Sequence, residues 1–249
     1  MIGRVRLRVA DADRVRSYYE RTIGLHAEGL TLGADGTPLI ELIDDPDAPP
    51  APAGSTGLFH LALLVPDRPS LAQAVRRVVE SGERFTGASD HYVSEALYLR
   101  DPEGNGIEIY RDRPRSEWGY EPNGELRMGT VALDIDSVMA ELPDGDDPGM
   151  PDGTRMGHVH LHVADLPSSE AFYAGDLGLD VTVRSYAGAL FLSRDGYHHH
   201  VGLNTWQGEG APPPPEGSRG LEDFELLLPD GDGSVRVDPS GNQVRVLAG

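Results

Sequence analysis

The chain has 249 residues, enough for one large domain or two modest ones around a well-buried core, with 39% hydrophobic and 6% aromatic residues. Its formal charge of −20 sets 41 acidic residues against 21 basic ones, so a nucleic acid or an anionic membrane would repel it. There is no Cys, and every basic residue is Arg; disulfides, thiolate chemistry and lysine Schiff bases are all excluded.

The amino terminus enters an alternating strand at Gly3 with no signal-peptide h-region before it. No apolar run approaches the roughly 20 residues needed to span a bilayer. A cytoplasmic location is expected, with neither nucleic acid nor membrane as partner. After the strand, Asp11 leads a helix through Tyr18-Tyr19, with Gly24 at its end. A second strand, Gly57 to Pro66, is followed by a helix around Leu71 to Glu80. Leu97-Tyr98-Leu99 and Ile107-Glu108-Ile109-Tyr110 read as two strands joined by the tight turn Asp101-Pro102-Glu103-Gly104. By alternation, Tyr98 and Glu108 point to one face of that hairpin. From about 113 to 154 the chain is rich in Gly, Pro and Asp and reads as a connector with one short helix near Ile135–Leu142. Pro212 to Pro215 form a stiff spacer before the last segment.

An internal repeat organises these pieces. Gly3-Arg4-Val5-Arg6-Leu7-Arg8-Val9-Ala10-Asp11 returns 154 positions later as Gly157-His158-Val159-His160-Leu161-His162-Val163-Ala164-Asp165. The same offset carries Tyr18-Tyr19 onto Phe172-Tyr173 and Gly24-Leu25 onto Gly178-Leu179. Gly57–Asp67 likewise matches Gly220–Asp230, and Asp101-Pro102-Glu103-Gly104-Asn105 matches Asp238-Pro239-Ser240-Gly241-Asn242. The last copy lacks about 26 residues, corresponding to the helix after its first strand and the region that follows. The expected fold class is α+β: four βαβββ modules, at roughly 3–50, 57–112, 155–207 and a shortened 220–249, paired into cupped mixed sheets. The division expected along the chain is an amino-terminal domain of two modules (1–112), a connector (113–154) and a carboxy-terminal domain of one full and one truncated module (155–249).

The spacing from His91 through Leu97-Tyr98, the Asp-Pro-x-Gly turn and Glu108 resembles the signature of extradiol ring-cleaving dioxygenases. These belong to the vicinal oxygen chelate superfamily, with glyoxalase I and the bleomycin- and fosfomycin-resistance proteins. Two-domain catechol 2,3-dioxygenases are the members it resembles most. In that superfamily, paired modules form a cupped sheet with a metal inside, ligated from the first and last strands of each module. The matching first-strand positions here are Arg4, His60, His158 and Asp223; the last-strand positions include Glu108 in module two and Arg245 in module four. A guanidinium has no lone pair to offer a cation. Modules one and four therefore read as dead, and modules two and three supply His60, Glu108 and His158. Two imidazoles and a carboxylate fit non-haem Fe(II) with open positions; Mn(II) or another divalent metal is also compatible.

The resemblance implies further roles. Within Tyr197-His198-His199-His200, read as part of a strand with alternating faces, His199 takes the place of the acid/base His. His91 and Tyr98 take the place of hydrogen-bond donors around the bound substrate and oxygen. His26, His160 and His162 have no such support and read as structural or surface residues, and Trp206 as a packing or pocket-lining one. The implied activity is extradiol cleavage of a catechol-type aromatic diol by O2. A glyoxalase-like isomerase or thiol-conjugating enzyme is the alternative in the superfamily, and a metal-free small-molecule (drug) binding protein the alternative outside enzymology. The two ligand-bearing modules flank the connector, so they pair either within one chain or across a homodimer.

Overall fold

Alternation along the strands divides the molecule into an apolar side and a polar side. In the computed structural model, which describes residues 1–249, the first strand buries Val5, Leu7 and Val9 on one face and carries Arg4, Arg6 and Arg8 on the other. Its repeat copy buries Val159, Leu161 and Val163 on one face and carries His158, His160 and His162 on the other. One continuous cluster of 46 buried apolar residues draws on both, so the two repeat copies share the main core; two smaller clusters lie apart from it.

Module one comprises β1 (Ile2–Val9), α1 (Ala12–Tyr18), β2 (His26–Glu28), β3 (Thr31–Ala34) and β4 (Thr37–Asp44). Module two comprises β5 (Gly57–Leu64), α2 (Arg68–Glu80), β6 (Gly87–Asp90), β7 (Ser94–Arg100) and β8 (Gly106–Asp112). The connector contributes β9 (Val131–Ala132) and α3 (Ile135–Met139), the latter shorter than the sequence expectation. Module three comprises β10 (Arg155–His162), α4 (Leu166–Glu170), β11 (Asp180–Val183), β12 (Ala189–Ser193) and β13 (Val201–Asn204). Module four has only β14 (Gly220–Leu228), β15 (Val235–Val237) and β16 (Gln243–Ala248), with no helix after its first strand, as the missing residues imply.

Each helix begins on an Asp whose side chain accepts a backbone N–H three residues on: Asp11 from Arg14, Asp67 from Ser70, Asp134 from Ser137 and Asp165 from Ser168. Such a cap is worth about 1 kcal/mol. α1 and α4 both run on into a π-helical turn, Tyr19–Ile23 and Ala171–Asp176. Gly24 closes the first with φ of 89°, a left-handed conformation that glycine adopts without strain.

The modules pair within the chain. A nine-stranded sheet in the order β11-β12-β13-β10-β5-β8-β7-β6-β9 joins modules two and three, and a seven-stranded sheet, β15-β16-β14-β1-β4-β3-β2, joins one and four. β5 and β10 run antiparallel at the centre of the first, β1 and β14 at the centre of the second. The connector is more than a tether. β9 extends the larger sheet beyond β6. The buried Arg77 of α2 donates to Asp147 at 2.5 and 2.7 Å and to the carbonyls of Ile23 and Gly149 at 2.6 Å, fastening the connector to module one. No helix is long and apolar enough to cross a membrane.

Candidate metal centre and its cavity

Three strands of the nine-stranded sheet bring the candidate ligands together. His60 lies on β5, His158 on β10 and Glu108 on β8, which pairs parallel with β5 so that Ala62 is level with Glu108. All three side chains leave the sheet on the face opposite the core. Close backbone approach is needed to hold them. A Cβ at Gly106 would collide with the Phe59 carbonyl oxygen, and one at Gly157 with the Tyr110 hydroxyl. These two glycines let β8 and β10 close on their neighbours beside Glu108 and His158.

The ligand atoms converge. Glu108 Oε2 is 2.9 Å from His60 Nε2 and 3.1 Å from His158 Nε2, and the two imidazole nitrogens are 3.3 Å apart. Three donors at right angles around a cation, with bonds of about 2.1 Å, would be spaced about 3.0 Å apart. The set therefore fits a divalent metal bound on one face. All three side chains are buried. Burial pushes the Glu108 carboxyl up, but the adjacent His158 and His60 outweigh it and hold it well below the usual carboxylate range. Burial lowers His158 to about 4 against the opposing pull of Glu108. At neutral pH Glu108 is thus ionised and His158 neutral, the forms that coordinate.

His60 and Glu108 of the triad line a cavity of ≈ 430 Å³ walled largely by Phe59, Leu99, Ile107, Met128, Phe191 and Trp206, in which Glu108 is the only acidic lining residue; His158 lies just behind them. Tyr98 and His91 also line it. Tyr98 is paired directly opposite Glu108 across the β7–β8 hairpin, the shared face that alternation predicts. Burial, then the Glu108 charge, raises its phenol well above the usual value, so it stays protonated. Its hydroxyl is 2.7 Å from His91 Nε2, while His91 Nδ1 is 2.7 Å from the Gly129 carbonyl oxygen. A carbonyl only accepts, so His91 Nδ1 carries a proton, and His91 Nε2 accepts from the Tyr98 hydroxyl. In this arrangement Tyr98 offers the cavity its oxygen lone pairs.

The three consecutive His depart from the expected geometry. They lie in irregular backbone between β12 and β13, not on a strand, so their rings do not alternate. His199 lines the cavity, its ring 4.0 Å from that of His158 and 4.9 Å from that of Phe191. Burial, reinforced by the neighbouring His158 and His198, pushes it well below the usual His value, and its Nε2 is buried without a protein partner. His198 turns towards His199 rather than away, at 2.7 Å between their Nδ1 atoms.

His160 is no surface residue. It is buried, lines the cavity 5.0 Å from the His60 ring and 5.4 Å from Trp206, and leaves its Nε2 unpartnered. Its two-residue spacing from His158 was the available signal, because β10 carries both on one face. His162 Nδ1 donates to Asn204 Oδ1 at 2.7 Å, since an amide oxygen only accepts. His26 is exposed on β2, remote in topology from the triad, and Trp206 lines the cavity as expected. Met128, Gly129 and Thr130 of the connector also reach the cavity, a contribution no local sequence signal carries.

Comparison with known proteins agrees with this geometry. The family model of the glyoxalase/bleomycin resistance protein/dioxygenase superfamily matches residues 1–109. A catechol-2,3-dioxygenase of Bacillus subtilis (strain 168) is 44% identical over 237 residues, covering 92% of this chain and 82% of that protein. Among solved structures, glyoxalase I from Zea mays matches with a TM-score of 0.58 at 16% identity, covering 99% of this chain and 92% of its own. The cppA protein of Streptococcus pneumoniae TIGR4 matches with a TM-score of 0.54 at 10% identity, covering 98% of both chains. These two share the fold. The chain belongs to the glyoxalase/bleomycin resistance protein/dioxygenase superfamily, and its paired modules and buried two-His, one-Glu cluster support a divalent metal cofactor.

Proposed function

We propose that this protein is an extradiol dioxygenase that cleaves a catechol-type aromatic diol with O2, using Fe(II) held by His60, His158 and Glu108. The observation that carries the reading is the buried three-donor cluster, two of whose members, His60 and Glu108, line an aromatic-walled cavity, in a chain 44% identical to a catechol-2,3-dioxygenase. When bound there, the metal supplies charge stabilisation for the ionising diol and open positions that bring both reactants together.

The chain's own residues do the rest. Phe59, Phe191 and Trp206 present flat apolar surface on which an aromatic ring packs. His199, neutral and with Nε2 unpartnered in the cavity, takes the proton of a diol hydroxyl and returns it later in the cycle. The Tyr98 oxygen accepts a hydrogen bond from the bound diol, and His91 holds the phenol in place through its own bond to Gly129. The apolar walls limit water around the opening ring. Glu108 stands as the only acidic lining residue, which favours this chemistry over that of a glyoxalase, where a second carboxylate ligand is expected; His199 stands in module three instead.

The test is oxygen consumption by protein reconstituted anaerobically with Fe(II), given catechol, beside a Glu108→Ala control. Uptake with a yellow ring-opened product, lost in the control, is the expected result. Stoichiometric metal with no uptake across a catechol panel would move the assignment to isomerase or conjugation chemistry.

A further inference from the structure

Behind His199, on the side away from the cavity, a chain of hydrogen bonds leads out of the site. His199 Nδ1 is 2.7 Å from His198 Nδ1, and His198 Nε2 is 2.9 Å from Asp112 Oδ1. The His198 side chain has no exposure at all and is stacked 4.0 Å from the Tyr197 ring. The Tyr197 hydroxyl donates to the same Asp112 oxygen at 3.2 Å and is 2.7 Å from the Tyr110 hydroxyl. The Asp112 side chain is 24% exposed, so the far end of this chain meets solvent.

The donors can be assigned in order. A carboxylate oxygen only accepts, so His198 Nε2 carries a proton. With its proton on Nε2, His198 offers Nδ1 as an acceptor, and His199 Nδ1 donates across the short contact. That leaves His199 Nε2 bare, in the cavity, with no protein partner. In the other tautomer the two Nδ1 lone pairs would face each other, and Nε2–H would have nothing to offer an acidic hydroxyl.

We propose that His198, anchored by Asp112, is a positioning residue that sets the tautomer of His199 and so makes its cavity-facing nitrogen a proton acceptor. This rests on the acid/base reading of His199 given above.

Two measurements test this. In protein loaded with diamagnetic Zn(II) and labelled with 15N-histidine, long-range 1H–15N correlation spectra should show His199 with a protonated Nδ1 and a bare Nε2. A protonated Nε2 in the unmodified protein overturns the proposal. In Fe(II)-loaded enzyme acting on catechol, His198→Phe should lower kcat by about 100-fold, with KM and metal content unchanged. His198→Asn, whose amide oxygen can accept from His199 Nδ1, should recover much of the loss. Wild-type kcat in His198→Phe, or a loss confined to KM or metal content, overturns the proposal. Absence of oxygen uptake by the unmodified enzyme would refute the dioxygenase reading separately, because the tautomer spectrum needs no turnover.

Discussion

Tyr98 and Glu108 face each other across the β7–β8 hairpin, and the turn between them fixes that register. Asp101 accepts the backbone N–H of Glu103 and of Asn105 at 2.9 Å and the Asn105 side-chain amide at 2.8 Å. Asp101→Ala leaves these donors without their acceptor, at an expected cost of about 2–3 kcal/mol. A slip of one residue would turn Glu108 into the core, so metal affinity should fall by about 10-fold or more. Urea unfolding and metal titration of the variant check both. Lost stability with unchanged affinity would mean that pairing with β5 alone holds β8 in place.

Metal binding should stabilise the fold. At a free metal concentration about 100 times Kd the gain is about 2.7 kcal/mol, which for a chain of this size raises Tm by about 5–10 °C. Chelation should reverse the shift, and His158→Ala should show none. Calorimetry with Fe(II) or Mn(II) under anaerobic conditions is the measurement; an equal shift in His158→Ala would place the binding elsewhere.

His160 is expected to act on substrate rather than on metal. Burial, with His60 and His158 beside it, pushes its pKa well below the usual His value, so the ring is neutral. His160→Phe keeps an aromatic ring but removes the unpartnered Nε2. It should leave metal content unchanged and lower kcat/KM for catechol by about 10-fold, the scale of one lost hydrogen bond. Unchanged kcat/KM would reduce His160 to a wall of the cavity.

The seven-stranded sheet gives a prediction about pH. Asp223, 1% exposed, accepts from Arg6 and from Arg245, the latter at 2.9 Å. Burial pushes its carboxyl up, but the two guanidiniums outweigh it and hold it below the ordinary 3.8. A carboxyl lowered by folding contributes stability in full above its unfolded pKa and loses it as pH falls through the folded one. Asp223→Asn should therefore cost about 2 kcal/mol at pH 7, and the gap to the unmodified protein should close as pH falls below 3.8 and through the lowered folded value. A gap that persists in acid would assign the effect to packing.

What the sequence made legible followed local rules. The offset from Gly3 to Gly157 located equivalent strands, each Asp opened its helix, and the Asp-Pro-x-Gly turn set Tyr98 against Glu108. Pairing of modules two with three was left open because strand order depends on core contacts between residues far apart, such as Leu61 and Val159. The place of His160 in the cavity wall was not legible because its surroundings, His60 and Trp206, come from other strands and loops. The His198–His199 contact was hidden because alternation applies to strands, and those residues lie outside one.

The Arg6–Asp223–Arg245 cluster has a consequence for stoichiometry. Asp223 and Arg245 hold in the smaller sheet the repeat positions of His60 and Glu108, Arg6 holds that of His160, and the guanidiniums supply positive charge of the kind a cation would bring. One metal equivalent per chain is therefore the stoichiometry expected of this fourfold repeat. The shortened module four lies in the half whose copies of the ligand positions are Asp223 and Arg245.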